Sequence, residues 1–233
     1  MENIMKNIFA TIMLLMGMLT VAAQEKVEAD VHADIVSQYI WRGLDCGNAA
    51  IQPALGVSYQ GLSLGAWGNY GVTESSDVKE FDLTLSYSTS GLTIGVTDYY
   101  FNTHPEYFCY KSGETSHVFE AFAGYDFGVA SLTWYADFAG NDYLANGDRA
   151  YSSYVEANAP FRLGGLDWNA TIGVVPYKSM LYGADSGFAV TNIGLKATKE
   201  VKISESFSLP VFAGITANPK AEKAYFVFGF TLQ

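Results

Sequence analysis

Ten carboxylates recur at alternate positions of apolar-patterned segments, and that spacing limits what chemistry the chain can do. Glu28, Asp30, Asp34, Glu80, Asp82, Glu120, Asp126, Asp137, Glu156 and Asp167 all fall on the polar side of such segments. Few cations stand against them: Lys196 on a similar face, Arg42 at the predicted outer rim, and His32 between Asp30 and Asp34. A cavity walled by these groups favours cations and disfavours anions. Glu80, Asp82, Glu120, Asp126, Asp137, Glu156, Asp167, Lys196 and Arg42 are therefore read as pore-lining. Catalytic readings have less behind them. The three histidines are His32, His104 and His117. His104 adjoins Pro105 in a loop, and His117 opens a segment. His32 has acids around it, but no serine shares its strand face and Ser58 and Ser63 lie on other segments, so a Ser–His pairing has little support. The stretch "DVHAD" (30–34) puts three ligands on one side of one strand, a poor tetrahedral set. No catalytic residue, metal or cofactor is assigned, and the chain is read as not an enzyme.

The elements that must carry these residues are strands. Twelve alternating segments are predicted: 27–41, 51–60, 62–72, 79–88, 92–101, 117–127, 129–139, 150–161, 166–177, 188–199, 207–217 and 224–233. Most are close to the ten residues that a tilted strand needs to cross a bilayer. In "EFDLTLSY", Phe81, Leu83, Leu85 and Tyr87 oppose Glu80, Asp82, Thr84 and Ser86. In "AYFVFGFTLQ", Ala224, Phe226, Phe228, Phe230 and Leu232 share one side. This is period-two amphipathicity, the signature of a strand with one polar and one apolar surface.

The connections are sorted by length. "QG" (60–61), "TSG" (89–91), "FGV" (127–129), "RLGG" (162–165) and "EVKISES" (200–206) alternate with mostly longer, more polar ones: 42–50, 72–77, 102–116, 140–148, 178–187 and 218–223. A sandwich gives no reason for such parity, whereas an outer-membrane barrel has tight periplasmic turns and longer external loops. Aromatics gather where the apolar faces end. Tyr39, Trp41, Tyr70, Phe81, Phe119, Phe138 and Tyr151 are predicted at the outer edge. Tyr59, Tyr87, Tyr125, Phe127, Phe161, Trp168 and Phe207 are predicted at the inner one. The expected fold is an all-β transmembrane antiparallel barrel of about 12 strands, the last closing on the first. Its backbone radius would be roughly 12 Å. Trp67, Tyr99, Phe122, Tyr135, Tyr154 and Tyr177 are expected to point inward and narrow the path.

Composition agrees. The 233 residues include 23 Gly, 16 Tyr and 15 Phe, with 16% charged residues and a net charge of −11. An acidic chain with no basic cluster argues against nucleic acid as partner. The stretch "MENIMKNIFATIMLLMGMLTVAAQ" has one early lysine, an uncharged apolar run and small residues near Ala23, the layout of a secretory signal peptide over 1–23. Residues 24–233 would then form the single barrel domain. Export makes a disulfide permissible; Cys46 and Cys109 both fall in predicted outer loops, and a bridge and two free thiols are equally open.

The stretch "DIVSQYIWRGLDCGNAAIQPALGVSYQG" (34–61) resembles the opening of the TorF-like porin family of Gram-negative bacteria. Tyr39, Trp41, Arg42 and Gly43 match its Tyr-aromatic-Arg-Gly motif, and Pro53 and Ala54 match the pair that opens its second strand. "EFDLTLSY" (80–87) and "GVTDYYF" (95–101) also fit, so the likeness covers roughly residues 30 to 101. The resemblance implies an outer-membrane location and a porin role. Expected partners are outer-membrane lipid and small cationic or neutral solutes, with a membrane-protein partner or a homo-oligomer left open. The competing expectation is a non-conducting barrel serving as scaffold, adhesin or subunit of an outer-membrane complex.

Overall fold

Alternating side chains become strands that pair in sequence order. A computed structural model describes residues 27–74, 77–102, 106–111, 113–205 and 207–233; the predicted leader (1–23) and His104 lie outside them. The strands are β1 (Glu28–Val36), β2 (Tyr39–Trp41), β3 (Leu44–Gly47), β4 (Ala50–Tyr59), β5 (Leu62–Gly71), β6 (Lys79–Thr89) and β7 (Leu92–Tyr100). They continue with β8 (His117–Asp126), β9 (Ser131–Gly140), β10 (Ser153–Leu163), β11 (Leu166–Val175), β12 (Ala189–Lys202), β13 (Ser208–Asn218) and β14 (Lys223–Leu232). β1 and β4 to β14 form one closed antiparallel barrel of twelve strands, while β2 and β3 form a separate two-stranded sheet.

Closure rests on β14 against β1, in a register running from Ala33 opposite Leu232 to Val36 opposite Gly229. Two more bonds extend the seam: Ser37 N–H donates to the Phe228 carbonyl at 2.8 Å, and Phe228 N–H donates to Ser37 Oγ at 3.0 Å. A closed ring leaves no unpaired edge to recruit another chain. At one end of the barrel the turns are tight. Gln60–Gly61, Ser90–Gly91 and Gly164–Gly165 each have two consecutive positive φ angles, the type I′ geometry whose twist suits a two-residue hairpin.

The faces follow the alternation. Phe226 and Phe228 are 61% and 57% exposed on the outside of the ring, alongside Leu55, Leu64, Leu85, Ile94 and Ile215 on neighbouring strands. Inside, Glu120 and Asp137 are 0% and 2% exposed. The barrel thus buries its polar groups and shows its oily ones, the reverse of a water-soluble domain. Among the described residues no helix is long and apolar enough to cross a membrane, which has no bearing on strands.

Several predicted boundaries shift; β10 begins at Ser153 rather than 150, and two other shifts have a clear cause. The segment 27–41 is not one strand: it divides at Ser37–Gln38, where Val36 already has Ala50 and Gly229 as its two neighbours. Past that point the chain leaves the wall, and the predicted outer loop 42–50 holds the turn and second strand of a hairpin, β2–β3. β12 runs to Lys202, beyond the predicted end at 199, because β13 stays paired with it as far as Ser208.

Candidate functional site

The β2–β3 hairpin turns inward and fills the end of the barrel that carries the long loops. Its turn is Arg42–Gly43, with φ of 52° and 82°, between the paired residues Trp41 and Leu44. This is again a type I′ turn, and it sets Arg42 at the tip. Gly43 lies against the wall so closely that a Cβ there would stand 1.8 Å from the Thr191 carbonyl oxygen. Asn218 Nδ2 donates to the Gly43 carbonyl at 3.0 Å. On the opposite wall Tyr39 packs against Trp67, ring centroids 5.6 Å apart, and its hydroxyl donates to Glu80 Oε2 at 2.9 Å. Where the hairpin ends, Asn48 donates through N and Nδ2 to Asp77 Oδ1 at 3.1 and 3.2 Å, and Glu74 N–H donates to Oδ2 at 3.0 Å. The Glu74 and Asn48 N–H groups hold the Asp77 carboxyl below its ordinary pKa.

Arg42 makes a two-pronged ion pair with Glu120: Nη1 donates to Oε2 at 2.5 Å and Nη2 to Oε1 at 2.9 Å. Four rings surround its guanidinium, Tyr135 at 4.2 Å, Tyr154 at 4.7 Å, Trp41 at 4.8 Å and Tyr182 at 5.1 Å. The faces of such rings attract cations, more strongly where water is excluded. Arg42 is 7% exposed. Glu120 accepts two further bonds, from the Tyr99 hydroxyl at 2.8 Å and the Tyr182 hydroxyl at 2.6 Å. Its buried charge is therefore fully solvated by protein donors.

Tyr182 reaches the site from the loop between β11 and β12. The loop folds on itself through a bridge between Ser179 and Ala184. Tyr182 N–H donates to Ser179 Oγ at 3.0 Å, Ser179 Oγ to Ser152 Oγ at 2.7 Å, and Ser152 Oγ to Asp142 at 2.7 Å. A register shift at Phe119/Glu120 sets Glu120 directly opposite Asp137, a bulge that re-aims side chains. Of these two facing carboxyl groups, Arg42 pairs with Glu120. Asp137 Oδ2 has no partner, nor do Glu80 Oε1 and Asp82 Oδ1. The Tyr182 hydroxyl is 3.5 Å from Asp137 Oδ1 and much nearer Glu120 Oε2, at 2.6 Å.

Below the hairpin the lumen opens into a cavity of about 270 Å³ lined by Asp34, Gln52, Asn169, Asn192, Lys196 and Phe212. Lys196 Nζ stands 4.0 Å from the Phe212 ring centroid, and Thr231 Oγ1 donates to Asp34 at 2.5 Å. A second space of about 710 Å³ lies towards the tight-turn end, between Glu28, Asp30, Ser58, Ser63, Thr84 and Ser86. Among the described residues no group of three or more His, Cys, Asp or Glu is set to hold a metal.

The acids of the sequence reading therefore separate by height. Glu80, Asp82, Glu120 and Asp137 surround the hairpin. Glu156 and Lys196 lie deeper; Glu156 accepts from the Tyr154 hydroxyl at 2.8 Å and Asn158 Nδ2 at 2.9 Å. Asp126 and Asp167 stand at the tight-turn rim, the first accepting from Gly128 N–H at 2.7 Å, the second pairing with exposed Arg162 at 2.6 Å. Arg42 is not at the outer rim, as expected from its place beyond a strand end, but inside the barrel. Tyr39 and Trp41, expected in an outer aromatic belt, go in with it. Trp67, Tyr99, Phe122, Tyr135 and Tyr154 point inward as expected. Tyr177 does not: it is exposed and donates to the Tyr151 carbonyl at 2.5 Å. Cys46 on β3 and Cys109 in the loop before β8 are separate free thiols.

Two contributors escaped the sequence reading. Tyr182 sits in an irregular loop with no periodic signal. The hairpin offered little more: Gly43 suits a type I′ turn, but Arg42 is not among the Asn, Asp and Gly residues that favour its first position.

No curated protein matches the chain. Over residues 21–220 its sequence matches a family described as bacterial protein of unknown function (Gcw_chp). A match of that extent, on a chain that folds as one barrel, makes this protein a member of the Gcw_chp family.

Proposed function

We propose that this protein is an outer-membrane β-barrel of porin type, with an acidic lumen that passes small cationic or neutral solutes once its first hairpin moves aside. The observation that carries this reading is the inverted polarity of a closed ring: phenylalanines and leucines outside, buried carboxylates inside. Only a bilayer accepts such an exterior at low cost, and a closed barrel is the one sheet that leaves no backbone unpaired there. The likeness of residues 30 to 101 to TorF-like porins supports the same role. Carboxylates around the constriction favour cations over anions. On this reading the barrel does no chemistry of its own, and its bound surroundings are outer-membrane lipid.

A second reading draws on the hairpin. Arg42, Trp41, Tyr135, Tyr154 and Tyr182 pack into one cluster across the long-loop end, as in a barrel that never conducts and serves as scaffold, adhesin or subunit. Planar-bilayer recording separates the two. The wild-type chain is expected to be nearly silent. A variant with residues 38–48 replaced by a short turn is expected to show stable, cation-selective steps. Silence from the inserted, folded variant would discard the porin reading for the second one.

A further inference from the structure

The Arg42 guanidinium occupies a site that looks built for a cation of that shape rather than for packing alone. Only Trp41, of its four rings, belongs to the hairpin; Tyr135, Tyr154, Tyr182 and Glu120 come from the wall and from the β11–β12 loop. The groups that hold the guanidinium therefore belong mostly to elements other than the one that carries it. Burial and pairing point the same way. Glu120 and Asp137 face each other, both at least nine-tenths buried, and Asp137 keeps one oxygen without a partner. A carboxylate fork for planar N–H donors, walled by aromatic faces, recognises guanidinium specifically, since a compact ammonium cannot fill both prongs at once.

We infer that Glu120, Asp137, Tyr135, Tyr154 and Tyr182 form a binding site for small guanidinium-bearing solutes, which Arg42 of the first hairpin occupies as a built-in competitor. The hairpin tip then acts as a tethered ligand. A free guanidinium compound that takes the fork releases the tip and leaves the acidic lumen open to itself. This names the solute class for the function proposed above and depends on that reading only for how the solute arrives.

The test uses binding rather than conduction. The full-length barrel domain carrying Arg42→Gly is refolded in detergent; glycine suits the positive φ at that position. Methylguanidinium at about 10 mM is expected to raise its melting temperature by roughly 2–4 °C over the same concentration of sodium chloride. The double variant Arg42→Gly/Glu120→Gln is expected to show no such rise. Equal shifts in both variants, or no shift in the first, would overturn the site. If Arg42→Gly does not fold alone, refolding is repeated with methylguanidinium present. Recovery of the heat-modifiable folded band only when Glu120 is intact supports the inference, and no recovery overturns it. Binding without conductance would discard the porin reading and leave the site. Conductance without binding would do the opposite.

Discussion

Glu120 shows how one side chain can hold a lumen shut. It takes four donors, two from Arg42 and one each from Tyr99 and Tyr182, so its replacement strands a buried guanidinium without its counter-charge. Glu120→Gln is expected to lower stability by about 3 kcal/mol, the low end for breaking a buried pair because Asp137 remains nearby; urea unfolding in detergent measures it. Asp77 governs the hairpin's exit in a different way. Its carboxyl is held below its ordinary pKa by the Glu74 and Asn48 N–H groups. Its contribution is therefore present above the ordinary carboxylate range near pH 4 and is lost as pH falls through its folded value. Amide hydrogen exchange over 44–49, corrected for intrinsic rate, is expected to accelerate on going from about pH 6 to pH 3. In Asp77→Asn it should be fast at both.

The hairpin is the element on which the site depends, and Gly43 is its weakest tolerance. A methyl group at that position meets the Thr191 carbonyl at 1.8 Å and must also adopt a φ of 82°. Gly43→Ala is expected to cost about 1–3 kcal/mol and to undock the tip while the ring stays closed. The folded band on an unheated gel should persist as protease nicking within 38–48 increases. Loss of the band would instead mean that the hairpin holds the ring together. At this scale the sequence was only half legible. Period-two patterning located the barrel strands because each has two neighbours and two distinct faces, an apolar outer one and a polar inner one. The same patterning ran through Ser37 into Tyr39 and Trp41, since a hairpin inside an acidic lumen also alternates its faces. Nothing in 176–188 announced that Tyr182 would be buried, because serine-to-serine bonds across two loops leave no local trace.

At the scale of the molecule, the alternation of short and long connections carried the topology, and the ring has the expected twelve strands. Heights within the lumen were not legible, because parity tells inside from outside but not rim from middle. Asp126 and Glu120 share a face, yet one caps a turn and the other anchors the hairpin. Sidedness itself predicts an asymmetric response to charge. Phe228→Arg, near the middle of β14, is expected to cost about 2–4 kcal/mol in a bilayer. Thr216→Lys, which points into the cavity below the hairpin, should cost far less. Equal costs in reversible urea unfolding from vesicles would remove the distinction between the two faces.

The most direct measurement of the account uses the tryptophans. Trp134 is 55% exposed on the outside of β9, whereas Trp41 packs inside against Tyr99 and Tyr182. Single-tryptophan variants in vesicles containing lipid brominated along its acyl chains should show strong quenching for Trp134 and little for Trp41. Strong quenching of Trp41 together with an unquenched Trp134 would contradict a barrel that turns its apolar face to lipid and its hairpin to the lumen.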